Sequence, residues 1–219
     1  MSSKRTKATK EENSPAILID SGFIVGLDVS TKTIGLTILD VATGVPVYMA
    51  PITFKGEKDA LDKSLEVEGF LDELFIGPLI GGVKNIRAIG IENFAMKFSS
   101  GFSQISTIVT LARFNGHIER ILWRLTGIKP EMLNVRSARK QVGINIVKDD
   151  PVDKKMQVVH QVKNILDEEA FQPWIMVTPK AGKNKGNLIF HESNGDMADS
   201  YVIAKALWMS YKNKNARQD

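Results

Sequence analysis

From residue 23 to 40 apolar positions alternate with small or polar ones, and the alternation breaks once, at Ser30-Thr31-Lys32. A period of two is strand spacing, so the pattern predicts two strands joined by a tight turn. Thr43-Gly44 marks another turn, and 45–54, rich in β-branched and aromatic residues, predicts a third strand. The spacing then changes. Between 59 and 75, Leu61, Leu65, Phe70, Leu71 and Leu74 recur at roughly helical intervals, and Pro78 with Gly81-Gly82 ends that helix. Residues 86–91 form a short apolar run between Asn85 and Asn93, the length of a buried strand, with Glu92 at its end. A helical period returns over 105–125 and stops at Gly127 and Pro130, and 132–135 reads as a further short strand. A basic segment at 136–143 follows. Residues 151–169 then predict a helix with Pro151 in its first turn, 180–187 a basic loop, and 194–211 a last helix with Val202, Ile203, Ala206 and Leu207 buried. The order βββ-α-β-α-β-α-α is that of an α/β domain with a mixed sheet.

Composition narrows the chemistry. The 219 residues are 43% hydrophobic and 25% charged, enough for one good-sized core, and we expect one domain over 15–211. Residues 1–14, nearly devoid of large apolar side chains, are expected to be a disordered basic tail, and 212–219 a second basic tail. Without cysteine, disulfide frameworks, thiolate metal sites and cysteine nucleophiles are excluded, so any metal must be held by oxygen or histidine. No apolar run approaches the roughly 18 to 20 residues of a membrane span, which implies a soluble, cytoplasmic protein. The 29 Lys and Arg exceed the 25 Asp and Glu, yet the two ends hold seven of those bases and three of the acids, which leaves the body balanced at 22 of each.

Against that neutral body, four carboxylates stand out. Aspartate is disfavoured in strands, yet Asp28 lies inside an apolar one, on the same face as Ile24 and Gly26. Glu92 repeats the arrangement with Ala88 and Gly90, so both acids occur as Gly-aliphatic-acid. The glycines are expected to leave open space beside each carboxylate for a hydrated ion or a phosphate. Asp196 and Asp199, three apart, share one side of the last helix's first turns. Acids there also offset the helix dipole, with Asn194 as a suitable N-cap. Together the four make an oxygen-ligand site for Mg²⁺ or Mn²⁺.

Three segments, GLDVSTKTIGLTILD, IGIENF and DMADSYVIAKAL, resemble the acidic motifs of the RuvC-type Holliday junction resolvases of the RNase H-like superfamily, bacteriophage members included. Between them SARKQVGI and KMQVVHQVKNIL resemble the family's basic segment and following helix, so the likeness spans about 22 to 208 in the right order. The resemblance implies an RNase H-like fold with a mixed five-stranded sheet flanked by helices. It implies that Asp28, Glu92, Asp196 and Asp199 are catalytic and hold two Mg²⁺ or Mn²⁺ ions per active site, with Lys155 as the active-site lysine, or Lys154 if the register shifts by one. Where the family carries an aromatic three residues after the strand-end Glu, this chain has Ala95, which leaves Phe94 or Phe98 to stack on a DNA base. The implied activity is that of a crossover junction endodeoxyribonuclease, a homodimer that resolves four-way DNA junctions by paired symmetric hydrolysis in a bacterial cell or phage-infected host.

Arg136, Arg139, Lys140, Lys154, Lys180, Lys183 and Lys185 are the expected contacts to DNA phosphates. The helix over 105–125 carries more apolar residues than one buried stripe needs, so it must be covered on a second side, by a symmetry mate or by the helix that begins at Pro151. His117 and His160 read as packing or surface residues, His191 as able to reach phosphate or water, and the three tryptophans as core or dimer-surface residues. A branched-DNA nuclease of relaxed specificity would use the same acids. A noncatalytic junction-binding protein should lack one of them, and an actin-like ATPase needs a second Gly-rich phosphate loop that the sequence does not contain.

Overall fold

The computed structural model describes residues 21–56, 58–93 and 102–217; the expected N-terminal tail and Phe94, Ala95 and Phe98 lie outside them. Strands β1 (Phe23–Val29), β2 (Thr33–Asp40) and β3 (Pro46–Thr53) form an antiparallel meander. The polar break at 30–32 is the turn: the Ser30 hydroxyl donates to the Thr33 carbonyl at 2.7 Å and accepts from the Thr33 amide at 3.0 Å. Strand β4 (Ile86–Glu92) then pairs parallel to β1, and β5 (Glu131–Leu133) parallel to β4, giving the order β3-β2-β1-β4-β5. This is the expected mixed five-stranded sheet. Five helices flank it: α1 (Ala60–Ile76), α2 (Phe102–Thr126), α3 (Val135–Val142), α4 (Lys154–Glu168) and α5 (Ser193–Asn215). Among the described residues no helix is long and apolar enough to cross a membrane.

Several local expectations are corrected. The basic segment at 136–143 is helix α3, capped by the Asn134 side chain on the Ser137 amide and closed by Gly143 at φ 89°, a left-handed angle that suits glycine. Eight residues dense in bases carry too little apolar stripe to signal a helix. Pro151 precedes α4 instead of sitting in its first turn, because the Asp153 carboxylate caps the Lys155 amide. Asn194 does not cap α5. Its side chain accepts from the Ile175 amide at 3.0 Å and donates to the Ile175 carbonyl at 2.7 Å, tying α5 to the two-residue strand β6 (Met176–Val177), which pairs with β7 (Ile189–Phe190). Strands of two residues are too short to show a period. Helix α5 also runs on to Asn215, which takes Lys212 and Lys214 into regular structure.

The two sheet faces are covered differently. Helices α1 and α2 bury Val67, Leu71, Phe75, Phe114, Ile118 and Leu122 against Val25, Leu27, Leu36, Ile89 and Ile91. Helix α4 lies on the opposite face with α3 and α5, so it does not cover α2. The outer side of α2 leaves Ile105, Val109 and Trp123 about half exposed, at 48%, 51% and 60%.

On the α5 side, β1, β2 and β4 each present a glycine to the helix: Gly26, Gly35 and Gly90. A Cβ at Gly26 would stand 2.5 Å from the Ala204 amide nitrogen and the Ser200 carbonyl oxygen, and one at Gly35 only 2.0 Å from the Asp196 carbonyl oxygen. The space expected at the glycines is therefore filled, by the α5 backbone at Gly26 and Gly35 and by the Ile203, Leu207 and Leu133 side chains at Gly90. A buried hydrogen bond of 2.8 Å between Thr37 and Ser200 fixes the helix in register on this glycine floor.

Candidate active site

The glycine floor sets where the acids meet. Gly26 of β1 pairs with Gly90 of β4, so Asp28 and Glu92, two residues on in parallel strands, emerge side by side at the same sheet end. Helix α5, seated on the glycines, delivers Asp199 to the same point. One carboxylate oxygen from each of Asp28, Glu92 and Asp199 lies within 4.8 Å of the other two. Asp196 is not in this triad. It forms an ion pair with Lys155, whose stem lies against Gly195, where a Cβ would stand 2.7 Å from the lysine Cδ. A shared cleft of about 290 Å³ is lined by the four acids, Lys155, Ser30 and Leu111.

The electrostatics are those of crowded, buried anions. Burial, then the charges of Glu92 and Asp199, a hydrogen bond with Glu92 and the charge of Asp196, hold the Asp28 carboxyl well above its ordinary value. Burial likewise raises Glu92, against the lowering effect of its hydrogen bond with Asp28, and raises Asp199 in spite of Arg139. Burial pulls Lys155 down, but its bond to Asp196 and the charges of Asp196, Asp28 and Asp199 outweigh that and raise it. The Arg139 guanidinium grips Asp199, with Nε and Nη2 at 3.1 and 2.7 Å from Oδ1 and Nη2 at 2.8 Å from Oδ2. Three converging carboxylates with raised proton affinity form a donor set that suits a hard divalent cation: oxygen ligands only, mutually repelling until a cation joins them.

Arg139 also faces the other way. With Arg136, Lys140, Lys148 and Lys154 it lines a neighbouring groove of about 400 Å³ floored by Ile144 and Ile146. The structure thus separates the two candidate lysines, Lys155 against Asp196 and Lys154 in the groove. Nothing in the sequence marks Lys148, because its loop has no period. Two glutamines of α4 fix that loop: Gln161 accepts from the Asn145 amide and donates to its carbonyl at 2.9 and 2.7 Å, and Gln157 does the same for Val147 at 2.8 and 3.0 Å. Gln157→Leu is expected to lower stability by about 2 kcal/mol by leaving the Val147 amide and carbonyl unpaired, measured as a shift in urea midpoint, with faster amide exchange at Val147.

The remaining expected contacts lie elsewhere. Lys180, Lys183 and Lys185 sit exposed on the loop between β6 and β7, outside the linings of both clefts. The His191 Nδ1 is taken up by the Ser193 hydroxyl at 2.7 Å. Trp208 donates to the Val41 carbonyl at 2.8 Å and Trp174 packs edge-on against Phe190, whereas Trp123 is exposed.

No protein-family model and no curated protein matches the sequence. Solved structures do match. RuvC of T. thermophilus in complex with a Holliday junction substrate superposes over 87% of this chain and 96% of its own, with a TM-score of 0.54 at 10% identity. The chain has the RNase H-like fold of RuvC. The yeast mitochondrial Holliday junction resolvase Ydc2 aligns over 90% of this chain and 86% of its own at 12% identity and a TM-score of 0.48. The large terminase nuclease of the thermophilic phage G20c aligns over 84% and 81% at 12% identity and 0.37.

Proposed function

We propose that this chain is a metal-dependent, structure-selective endodeoxyribonuclease that resolves four-way DNA junctions by paired, symmetric hydrolysis. The observation that carries the reading is the triad of buried Asp28 and Asp199 with half-buried Glu92, with ligand oxygens within 4.8 Å of one another, at a sheet end of a RuvC-like fold. Asp28, between Glu92 and Asp199, would hold two Mg²⁺ or Mn²⁺ ions with them, and Asp196 would complete the shell. When bound, such ions supply an ionised water and stabilise charge on the phosphoryl oxygens. Lys155, held over the cleft by Asp196 and by the absence of a side chain at Gly195, meets the phosphate undergoing attack. Arg136, Lys140, Lys148 and Lys154 hold the flanking backbone. The products carry a 5′-phosphate and a 3′-hydroxyl.

A junction is nearly two-fold symmetric, and a homodimer places two such sites about the same axis. The exposed side of α2, with Ile105, Val109 and Trp123, is the face proposed for that contact.

Incubation with Mg²⁺ of a mobile four-way junction, a Y-fork and a linear duplex tests the reading. Paired cuts in the junction with the linear duplex intact are expected. Equal cutting of forks and junctions instead makes this a relaxed branched-DNA nuclease, and binding without cutting a noncatalytic one. Lys155→Ala is expected to lower turnover by about 10²-fold, the usual effect of removing one group that stabilises transition-state charge, with junction binding within a few fold of wild type. Lys154→Ala should instead weaken binding. Reversed effects in single-turnover assays would move the active-site role to Lys154.

A further inference from the structure

Arg139 lines the basic groove and, through its ion pair with Asp199, reaches the lining of the acidic cleft. Its side chain is 20% exposed and that of Asp199 only 5%, and the guanidinium donates to both oxygens of that carboxylate. A cation held by Asp28, Glu92 and Asp199 would draw on the same Asp199 lone pairs and would meet a fixed positive charge beside them. Arg139 therefore stands as an internal competitor for the metal position. Its other neighbours decide when it can leave. The groove lining places Arg136, Lys140, Lys148 and Lys154 around it with no acid among them. Arg136, Arg139 and Lys140 share one side of α3 at spacings of three and four residues, while Ala138 and the Gln141 bond to the Ala206 carbonyl, 3.0 Å, anchor the helix on α5. Five cations around one groove attract a polyanion, and a phosphate presents a guanidinium with the same two-oxygen edge as a carboxylate.

We propose that Arg139 couples the groove to the triad: a backbone phosphate in the groove takes over the Arg139 guanidinium, frees Asp199, and so tightens cation binding at the triad. Linkage makes the effect reciprocal, so a cation at the triad strengthens the groove's hold on phosphate. Arg139 is then a positioning residue, acting through Asp199. The inference rests on the nucleic-acid reading only for the nature of the anion.

Titration of Mn²⁺ into DNA-free protein, with free Mn²⁺ read by electron paramagnetic resonance, tests the competition at Asp199. Arg139→Gln should bind Mn²⁺ about tenfold more tightly than wild type, the scale on which a neighbouring charge shifts a carboxylate's affinity for a cation. Arg139→Lys, which keeps the charge and loses the fork, should fall between, and it serves if the glutamine variant does not fold. Equal or weaker binding by Arg139→Gln would overturn the proposal, since a merely structural clamp on Asp199 gives that result. A second titration uses protein saturated with a four-way junction of nonhydrolysable phosphorothioate backbone. The junction should tighten Mn²⁺ binding to wild type and leave Arg139→Gln unchanged. The double variant Arg136→Ala/Lys148→Ala should keep the wild-type affinity without DNA and lose most of the tightening. Equal tightening in wild type and Arg139→Gln would overturn the coupling. A wild type that binds Mn²⁺ but no junction would overturn the branched-DNA reading, and with it the groove half of this proposal, while the DNA-free titration still decides the competition at Asp199.

Discussion

Asp28→Asn abolishes cleavage and, in the absence of metal, stabilises the fold: that is the expected outcome of the largest single change in the site. Asp28 is 9% exposed and faces Glu92 and Asp199. An amide keeps its shape and removes both a ligand charge and the repulsion, so activity should fall by more than about 10²-fold, beyond the loss typical of residues that merely support a metal ligand. The pH dependence follows from the raised Asp28 pKa. The folded state holds a proton there that the unfolded chain has released, so the metal-free protein loses stability as pH rises from near the ordinary value of 3.8 through the folded pKa. Thermal melts in EDTA should show that decline in wild type and a flatter profile in Asp28→Asn, which melts a few degrees higher above the window. A cation requires the ionised carboxylate, so wild-type metal affinity should rise over the same window. An Asp28→Asn protein that cuts at the wild-type rate would remove the site, and one that melts lower than wild type in EDTA would remove the electrostatic account.

Gly35→Ala is expected to have the second largest effect, although it touches no charged group. Its Cβ would meet the Asp196 carbonyl oxygen at 2.0 Å, the Asp196 carbonyl carbon at 2.3 Å and the Met197 nitrogen at 2.8 Å. These are backbone atoms and cannot swing aside, so the first turn of α5 must lift off β2 and carry Asp196 and Asp199 with it. A loss of about 3 kcal/mol, at the upper end for overpacking, should accompany loss of cleavage. Gly69→Ala in α1 is the control, because nothing lies within 4 Å of its added Cβ. There the better helix propensity of alanine should raise stability by up to about 1 kcal/mol, with cleavage unchanged. Urea midpoints of the two variants decide the matter: a Gly35→Ala midpoint equal to wild type would mean that α5 does not need the glycine floor.

The meander, β4, α1, α2 and the long last helix could be read from the sequence because hydrophobic period is a local property, written within a dozen residues. Asp28 and Glu92 stood out for a related reason. A carboxylate in a strand that is otherwise apolar is costly unless something compensates for it, and that anomaly is visible without knowing the compensation. What only the tertiary structure decided is pairing. In the sequence the glycines suggest open space, whereas in the fold Gly26, Gly35 and Gly90 admit a helix. Its charge and basic neighbours suggest Arg139 as a phosphate contact, and nothing in the sequence shows that the guanidinium also grips Asp199, 60 residues away. Adjacent in the sequence, Lys154 and Lys155 are alternatives for one role, and the Asp153 cap together with the Gly195 gap sends the first to the groove and the second to Asp196. Helix α3 carries too few apolar residues to announce itself, and strands β6 and β7 and the Lys148 loop held by Gln157 and Gln161 are too short or irregular to show a period. Their conformations are set by side-chain hydrogen bonds to partners that folding brings near. Period and burial cost belong to a stretch of chain, but the distance between two charges belongs to the packing of α5 on the sheet, and that distance makes the acids a site.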